Sequence, residues 1–407
     1  MIRDRLEFLA GLPEHGKVVE VKIFGKRTVV VCDPTLLREV LKKDHVYDKG
    51  GPVFDRIRLV MGYGLATATF DTHRGQRKTV APFFRNCSRF ADTMAEEWSA
   101  AAESWRHLPE VDQKAEFKAV SSRILSRCMF FNGVTQEQIG QIIEHTTYCF
   151  DKVATYLVTP AFYSRLPTAG NRRFREHLNA MYSLIHDLIE SRRRNISDEP
   201  DLLDALIAAG GTEKEIANNV ITFYSAGTST VASAITTLLV HLAMHQEYLA
   251  KVQAEIDSFL NCEGGASARG ASTPILQRAV KETLRVTPPV YSLTRTVVPD
   301  EGAVLGGYHL PSGRAVIVSP YVVQCAPSLT CPVDFDPDRW EDVEMFPFGG
   351  GARKCIGDVF GTMSVTSAAI EILSRFCPVS KGASGRSPWK ATASLSARPG
   401  VLALIPR

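Results

Sequence analysis

None of the nine cysteines falls in a CxxC pair or a zinc-finger spacing. That absence excludes a metal finger, and an odd count argues against a disulfide framework. Cys32, Cys87, Cys128, Cys149, Cys262, Cys325, Cys331, Cys355 and Cys377 are therefore expected as reduced thiols of a cytoplasmic protein. Charge of one sign is scarce too: 47 Lys plus Arg stand against 44 Asp plus Glu, a net +3, too little for a nucleic-acid partner. Long hydrophobic runs are missing. Val231 to Met244 is interrupted by Ser233, Thr236, Thr237 and His241, so no membrane span is expected. Met1 to Ala10 carries Arg3, Asp4, Arg5 and Glu7, which speaks against a leader or anchor there. Repeats and low-complexity tracts are also absent. Gly62 and Gly64 lack the preceding strand and third glycine of a dinucleotide-binding loop.

What is present is an ordinary globular composition, 45% hydrophobic and 22% charged, over 407 residues. That length is near the limit of a single core. Val18 to Phe24 and Arg27 to Val31 read as a hairpin turning at Gly25 and Lys26. Asp33-Pro34 opens a helix over Thr35 to Lys43, and the glycine-rich stretch from Lys49 to Thr69 reads as a long loop. From Thr72 to Leu260 apolar spacing is mostly helical, and Ala217 to His245 reads as one long helix. A helix over Pro274 to Val286 stops before Thr287-Pro288-Pro289, and short strands follow through Val318. The expectation is one domain over 1–407, mainly α with a minor β lobe: β-rich at 17–31 and 288–320, helical at 72–286 and 355–376.

The most informative segment is FPFGGGARKCIGDVFG, Phe346 to Gly361, a glycine-rich loop leading through a cysteine into a helix. Free backbone N–H groups and the positive end of a helix favour thiolate over thiol there. A thiolate is a metal ligand or a nucleophile, and the nearest histidine in sequence that could serve as its base is His309. A lone cysteine is more often a small buried hydrophobe. Here it has company: Phe348, Gly351, Arg353, Cys355 and Gly357 fit the fixed positions of FxxGxRxCxG. On these residues the chain resembles the cytochrome P450 superfamily of haem-thiolate monooxygenases. The resemblance implies a triangular-prism fold with haem b, iron protoporphyrin IX, between a long oxygen-binding helix and the cysteine-loop helix. It implies Cys355 as the axial iron ligand, Phe348 and Gly349 beside the haem, Gly357 in the same loop, and Arg353 paired with a propionate.

Other motifs lie where the resemblance requires them. Glu282-Thr283-Leu284-Arg285 matches ExxR, and Pro337-Asp338-Arg339-Trp340 follows it. Alone, a Glu and Arg at i,i+3 would be read as a solvated pair. In the family, Glu282, Arg285 and Arg339 would form a buried structural network. His73 and Arg77 share one helical face and Arg295 follows the ExxR helix; the bland reading is an exposed basic face, and the resemblance makes all three propionate donors. Ala226-Gly227-Thr228-Ser229-Thr230 resembles AGx(D/E)T, otherwise a small-residue helix contact. By resemblance Ala226 and Gly227 leave room for dioxygen, and Thr230 guides protons to it. Ser229 departs from the pattern, since a hydroxyl does not ionise near neutral pH as Asp or Glu would. A relay through another group or a substrate hydroxyl is expected, rather than chemistry needing fewer protons, because Thr230 is retained.

Thr222, Phe223, Val290, Tyr291, Leu293 and the Val53 to Leu65 loop are candidates for the substrate wall, though each could be core. Their apolar character suits a hydrophobic molecule. Asp48-Lys49-Gly50-Gly51-Pro52, Gly64-Leu65, Leu166 to Phe174 and Gly351 to Gly361 look like actinobacterial sesquiterpene oxidases of the pentalenene-oxygenase type. A cyclic terpenoid of bacterial secondary metabolism is the expected substrate; a fatty acid or other lipophile is the alternative, and a haem-thiolate sensor or carrier the reading from another class. With no flavin or iron–sulfur motif in the chain, electrons are expected from a ferredoxin and ferredoxin reductase, docking on Arg74, Lys78, Arg85, Arg89, Arg353 and Lys354. The protein is expected as a monomer.

Overall fold

The computed structural model describes residues 5–23, 25–108, 111–130, 133–195, 199–261, 273–325, 334–339, 344–382, 387–391 and 394–407. Phe24, Trp340, Cys262, Cys331 and most of the linker at 261–273 lie outside them. The chain opens with α1 (Arg5–Gly11), the hairpin β1 (Val18–Ile23) and β2 (Lys26–Val31), α2 (Pro34–Lys42), the two-residue β3 (Tyr47–Asp48), α3 (Gly51–Met61) and α4 (Phe70–Arg85). Helices continue as α5 (Ala91–Trp105), α6 (Gln113–Met129), α7 (Gln136–Leu157), α8 (Ala169–Arg194), α9 (Leu202–Ala208), α10 (Glu213–Met244), α11 (Gln246–Asn261) and α12 (Pro274–Val286). Then come β4 (Leu293–Val297), β5 (Ala303–Leu305), β6 (Tyr308–Leu310), β7 (Ala315–Val318) and α13 (Pro320–Cys325). The chain finishes with α14 (Asp358–Leu373), β8 (Phe376–Ser380), β9 (Trp389–Ala391), β10 (Leu395–Ala397) and β11 (Leu402–Pro406).

The main sheet runs β1-β2-β7-β4-β3, with β2 and β7 parallel and the other neighbours antiparallel. Ile23 pairs with Lys26, so the hairpin turns one residue earlier than Gly25-Lys26, with Gly25 at φ +78. Val29, Val31, Val316 and Val318 pack with Leu37, Val40, Leu41 and Phe346 beneath the sheet. A larger apolar core joins α5, α6, α10 and α14.

Two sequence expectations are corrected. The segment 49–69 holds helix α3; its glycines lie at the two ends, where Gly50 is the N-cap and Gly62 the C-cap. Gly62 and Gly64 are there because the turn presses on α10: an added Cβ would stand 2.3 Å from Asn218 or Thr222 side-chain atoms. Secondly, strands β8 to β11 follow the last helix in two-stranded ribbons outside the expected β ranges. Helix α10 is long and apolar enough by composition to cross a membrane, and 72% of its most apolar window is buried inside the protein, as in a core helix. Its start follows from a capping box, Thr212 with Glu215, each bonding the other's backbone N–H.

His241 on α10 gives an acid-stability prediction. It is buried, stacks on Phe335 at 4.6 Å and 9°, and meets Thr287 Oγ1 at 3.2 Å through Nε2. Burial first, then His245 and Arg285, hold its pKa down from 6.5 to about 3. The folded state refuses a proton that the unfolded chain accepts, so stability is complete above 6.5 and lost as pH falls toward about 3. Denaturant titrations across that window should show His241→Phe flattening the acid limb by about 1.4 kcal/mol per pH unit. An unchanged slope would remove the assignment.

Candidate functional site

The cysteine loop is held by backbone geometry. Phe346 is buried under the sheet and donates its N–H to Gln324 Oε1 at 2.6 Å. Gly349 N–H donates to Phe346 O at 2.9 Å and Cys355 N–H to Phe348 O at 2.9 Å. Gly351 lies at φ +63, and a Cβ there would stand 2.1 Å from the Leu41 carbonyl oxygen, so only glycine fits. Arg77 Nη1 donates to Lys354 O at 2.6 Å, tying α4 to this loop.

Cys355 is exposed, whereas Cys32, Cys87, Cys128, Cys149 and Cys325 are buried and Cys377 is half-buried. Desolvation by surrounding atoms pushes the Cys355 thiol up, outweighing the Gly357 N–H, Arg77 and Lys354, which pull it down. A bound cation would hold a thiolate here, because coordination deprotonates a thiol outright.

Behind the loop, positive charge gathers. His73 is buried and its Nδ1 has no hydrogen-bond partner. Burial first, then Arg353, Lys49, Arg77 and Arg295, lower its pKa to about 3. Arg295 on β4 is buried and its guanidinium is held down to about 10 by burial and by Arg353, with Asp48 and Asp44 opposing. Its one hydrogen bond among the described residues goes to Thr294 O at 2.9 Å. Lys49 Nζ donates to Ala66 O at 2.6 Å, and desolvation with Arg295 and Arg353 holds it well below an ordinary lysine. Arg58 closes the rim, donating to Lys49 O at 2.6 Å and standing 3.6 Å from Asp55.

Arg353 departs from expectation. Its Nη2 donates to Asp48 Oδ1 at 2.6 Å, its Nη1 donates to Ala68 O at 2.5 Å, and Asp44 lies 3.4 Å from Nε. With its side chain 1% exposed it is no part of a surface basic patch, although Arg74, Lys78, Arg85, Arg89 and Lys354 are exposed. Asp44 lies before the two-residue β3 and Asp48 within it; neither was given a site role from sequence, where Asp48 entered only in the Asp48-Lys49-Gly50-Gly51-Pro52 likeness. With Lys49, Arg77, Arg295, Arg353 and Arg58 against Asp44, Asp48 and Asp55, the cluster keeps an excess of positive charge. Desolvated cations without partners are costly, so this pocket fits an anionic group bearing two carboxylates.

The third wall is α10. Most of this helix is buried, yet Ala226 and Ser229 are exposed and Ser225, Gly227 and Thr230 half-exposed. Thr222, Phe223, Ala226, Ser229 and Thr230 fall on one face by helical spacing. Thr230 Oγ1 donates to Ala226 O at 2.6 Å, and Thr222, Ser225 and Thr228 make the same bond to the carbonyl four residues back. Gly227 faces the other way: its Cβ would stand 3.3 Å from Leu125 of α6, so its smallness serves helix packing. The helix is continuous through this stretch. Phe223 stacks on Phe84 at 5.8 Å, and Phe84 also lies beside Gly357, linking α10 to the cysteine loop.

Of the remaining expected wall residues, Leu293 lies beside Gly349 at 3.6 Å from where a Cβ would be, and Val290 is half-buried. Thr222 is buried against Gly64, and Tyr291 packs with the cluster of Leu6, Tyr321 and Leu395. Glu282 and Arg285 are fully buried and joined by two 2.8 Å hydrogen bonds. Arg339 stands 3.9 Å from Glu282, at ion-pair rather than hydrogen-bond distance. Gln324, which sequence reasoning missed, donates to Arg285 O at 2.9 Å and accepts from Phe346, joining this pair to the cysteine loop. A cavity of about 650 Å³ borders Phe348 and Lys354 but is lined from α5, α12 and α14, with no α10 residue.

A family model described as cytochrome P450 matches residues 12–391. The chain is 35% identical to cyclooctatin synthase of Streptomyces melanosporofaciens, over 92% of this chain and 86% of that one. It is 33% identical to pentalenene oxygenase of Streptomyces avermitilis, over 92% and 87%. The fold is similar to the crystal structure of the cytochrome P450DA heme domain, with a TM-score of 0.84 and 22% identity over 99% of this chain and 92% of that one.

Proposed function

The chain belongs to the cytochrome P450 family, and on that premise we propose that it oxidises a cyclic terpenoid, with Cys355 as the residue that would hold the iron of haem b. It is a monooxygenase: its cofactor is haem, its electrons come from donor proteins, and its substrate is lipophilic. Bound beside Cys355, haem supplies the activation of dioxygen, one atom entering a C–H bond and the other leaving as water with two electrons and two protons. The observation that carries this reading is the exposed thiol of Cys355 at the start of α14, set against buried positive charge that lacks enough carboxylates.

The residues divide the work. His73, Arg77 and Arg295 bind the propionates, while Arg353, committed to Asp48 and Asp44, fixes the floor beneath them. Phe348 and Gly349 shape the loop against the cofactor. The thiolate of Cys355 would hold the haem and supply it with electron density. Thr230 moves its proton through Oγ1, exchanging its bond to Ala226 O for one to the oxygen substrate. Ser229, on the same open face, passes a proton onward through water. Thr230→Ala should lower product formed per NAD(P)H consumed by about tenfold or more; unchanged coupling would sink the role.

The terpenoid is supported by the names of the relatives and by Phe223, Ala226 and Leu293, the apolar members of the wall formed by α10 and β4. A ferredoxin with its reductase is the proposed donor, drawn to the exposed Arg74, Lys78, Arg85, Arg89 and Lys354. Titrating the ferric protein with cyclic terpenes, fatty acids and aromatic compounds, and following the low- to high-spin change, tests the substrate. A tight response to a cyclic terpene supports the proposal; a response to fatty acids alone replaces it with a fatty-acid hydroxylase.

A further inference from the structure

Helices α7 and α8 form a hairpin, joined through 158–168, that packs against α3 and α10. Midway along it two histidines meet, His145 on α7 and His177 on α8. Their Nδ1 atoms are 2.9 Å apart, and the rings meet edge-on with centroids at 5.0 Å. One ring must present an Nδ1 lone pair and the other an Nδ1–H, so the pair holds a single shared proton between two metal-competent nitrogens. Tyr148 stacks on His177 at 4.1 Å and 16°, fixing the ring plane. Glu144 brings a carboxylate to the same spot: its oxygen and one nitrogen from each ring lie within 4.8 Å of one another.

Two imidazole nitrogens and one carboxylate are the donor set of a borderline divalent metal. Bonds of about 2.0–2.1 Å in a tetrahedral arrangement would set the nitrogens about 3.3 Å apart, a few tenths of an ångström from their present spacing. All three side chains are half-buried or exposed, so the position is open to solution. We propose that Glu144, His145 and His177 form a binding site for a Zn²⁺-like cation that clamps α7 to α8, with water completing the coordination. The cation replaces the shared proton, which is released to solvent, and reinforces a helix pair that the His145–His177 contact and the Thr146–Met181 hydrogen bond link at that level.

The test uses the haem-loaded protein with any affinity tag removed, titrated calorimetrically with ZnCl₂, and repeats the titration on His177→Phe. Phenylalanine keeps a ring against Tyr148 while removing the nitrogen. The wild type should take up one Zn²⁺ at micromolar concentration and unfold at a higher temperature with it bound. His177→Phe should bind at least about tenfold more weakly at an unchanged haem spectrum, and His145→Gln likewise. Absence of uptake by the wild type below millimolar Zn²⁺, or wild-type affinity in both variants, would overturn the site. Because the readout is cation uptake, it is separable from the haem assignment.

Discussion

Replacing Cys355 by serine is expected to remove the thiolate-type ferrous carbon monoxide spectrum and to lower oxygenation by about three orders of magnitude, ~4 kcal/mol of barrier. A hydroxyl stays protonated near neutral pH and offers iron neither the charge nor the polarisable electron density of sulfur. The loop should tolerate the change. Its course is set by Gly351 against Leu41, by Phe346 under the sheet and by backbone bonds that the side chain does not enter. Cys377→Ser is the control, since that thiol is the other one not fully buried among the described residues. It should leave spectrum and turnover unchanged. A thiolate spectrum that survives in Cys355→Ser and vanishes in Cys377→Ser would overturn the assignment.

Arg285→Leu carries the largest expected loss of stability. The side chain of Arg285 is 0% exposed, and its guanidinium donates twice to Glu282, once to Gln324 O at 2.8 Å and once to Asp334 O at 3.1 Å. Leucine would leave the Glu282 carboxylate buried with the Asp336 N–H at 3.0 Å and Arg339 at 3.9 Å. Stranding one member of a buried pair costs about 3–5 kcal/mol. The damage reaches the site: Gln324 would lose the donor to its carbonyl, and its side chain positions Phe346 at the start of the cysteine loop. A lower denaturation midpoint together with reduced haem content is therefore expected. Arg285→Lys should fall between, keeping the charge but not the planar fork that meets a carboxylate twice. A midpoint unchanged in Arg285→Leu would mean that the pair does not hold this part of the fold.

Much of the site was legible because its chemistry is written locally. Phe348 to Gly357 lie in one loop, His73 and Arg77 one helical turn apart, and Glu282 and Arg285 at i,i+3. What escaped was set by contacts distant in sequence. Asp48 meets Arg353 across 305 positions, and Gln324 reaches Arg285 across 39, with no spacing to announce either. Helix α3 was hidden by the glycines at its two ends, which punctuate a chain whether they enclose a loop or cap a helix. Strands β8 to β11 were missed because pairs as short as Trp389–Ala391 with Leu395–Ala397 carry little periodicity.

The hydroxyls along α10 have a consequence for what leaves the protein. Thr222, Ser225, Thr228 and Thr230 each spend their proton on a carbonyl of their own helix. Thr222 and Thr228 are buried, so of these Thr230 and Ser225 face outward. A hydroxyl that has given its proton to a carbonyl still offers lone pairs. An alcohol formed there can therefore stay by donating to Thr230 Oγ1, and leaves only by giving that bond up.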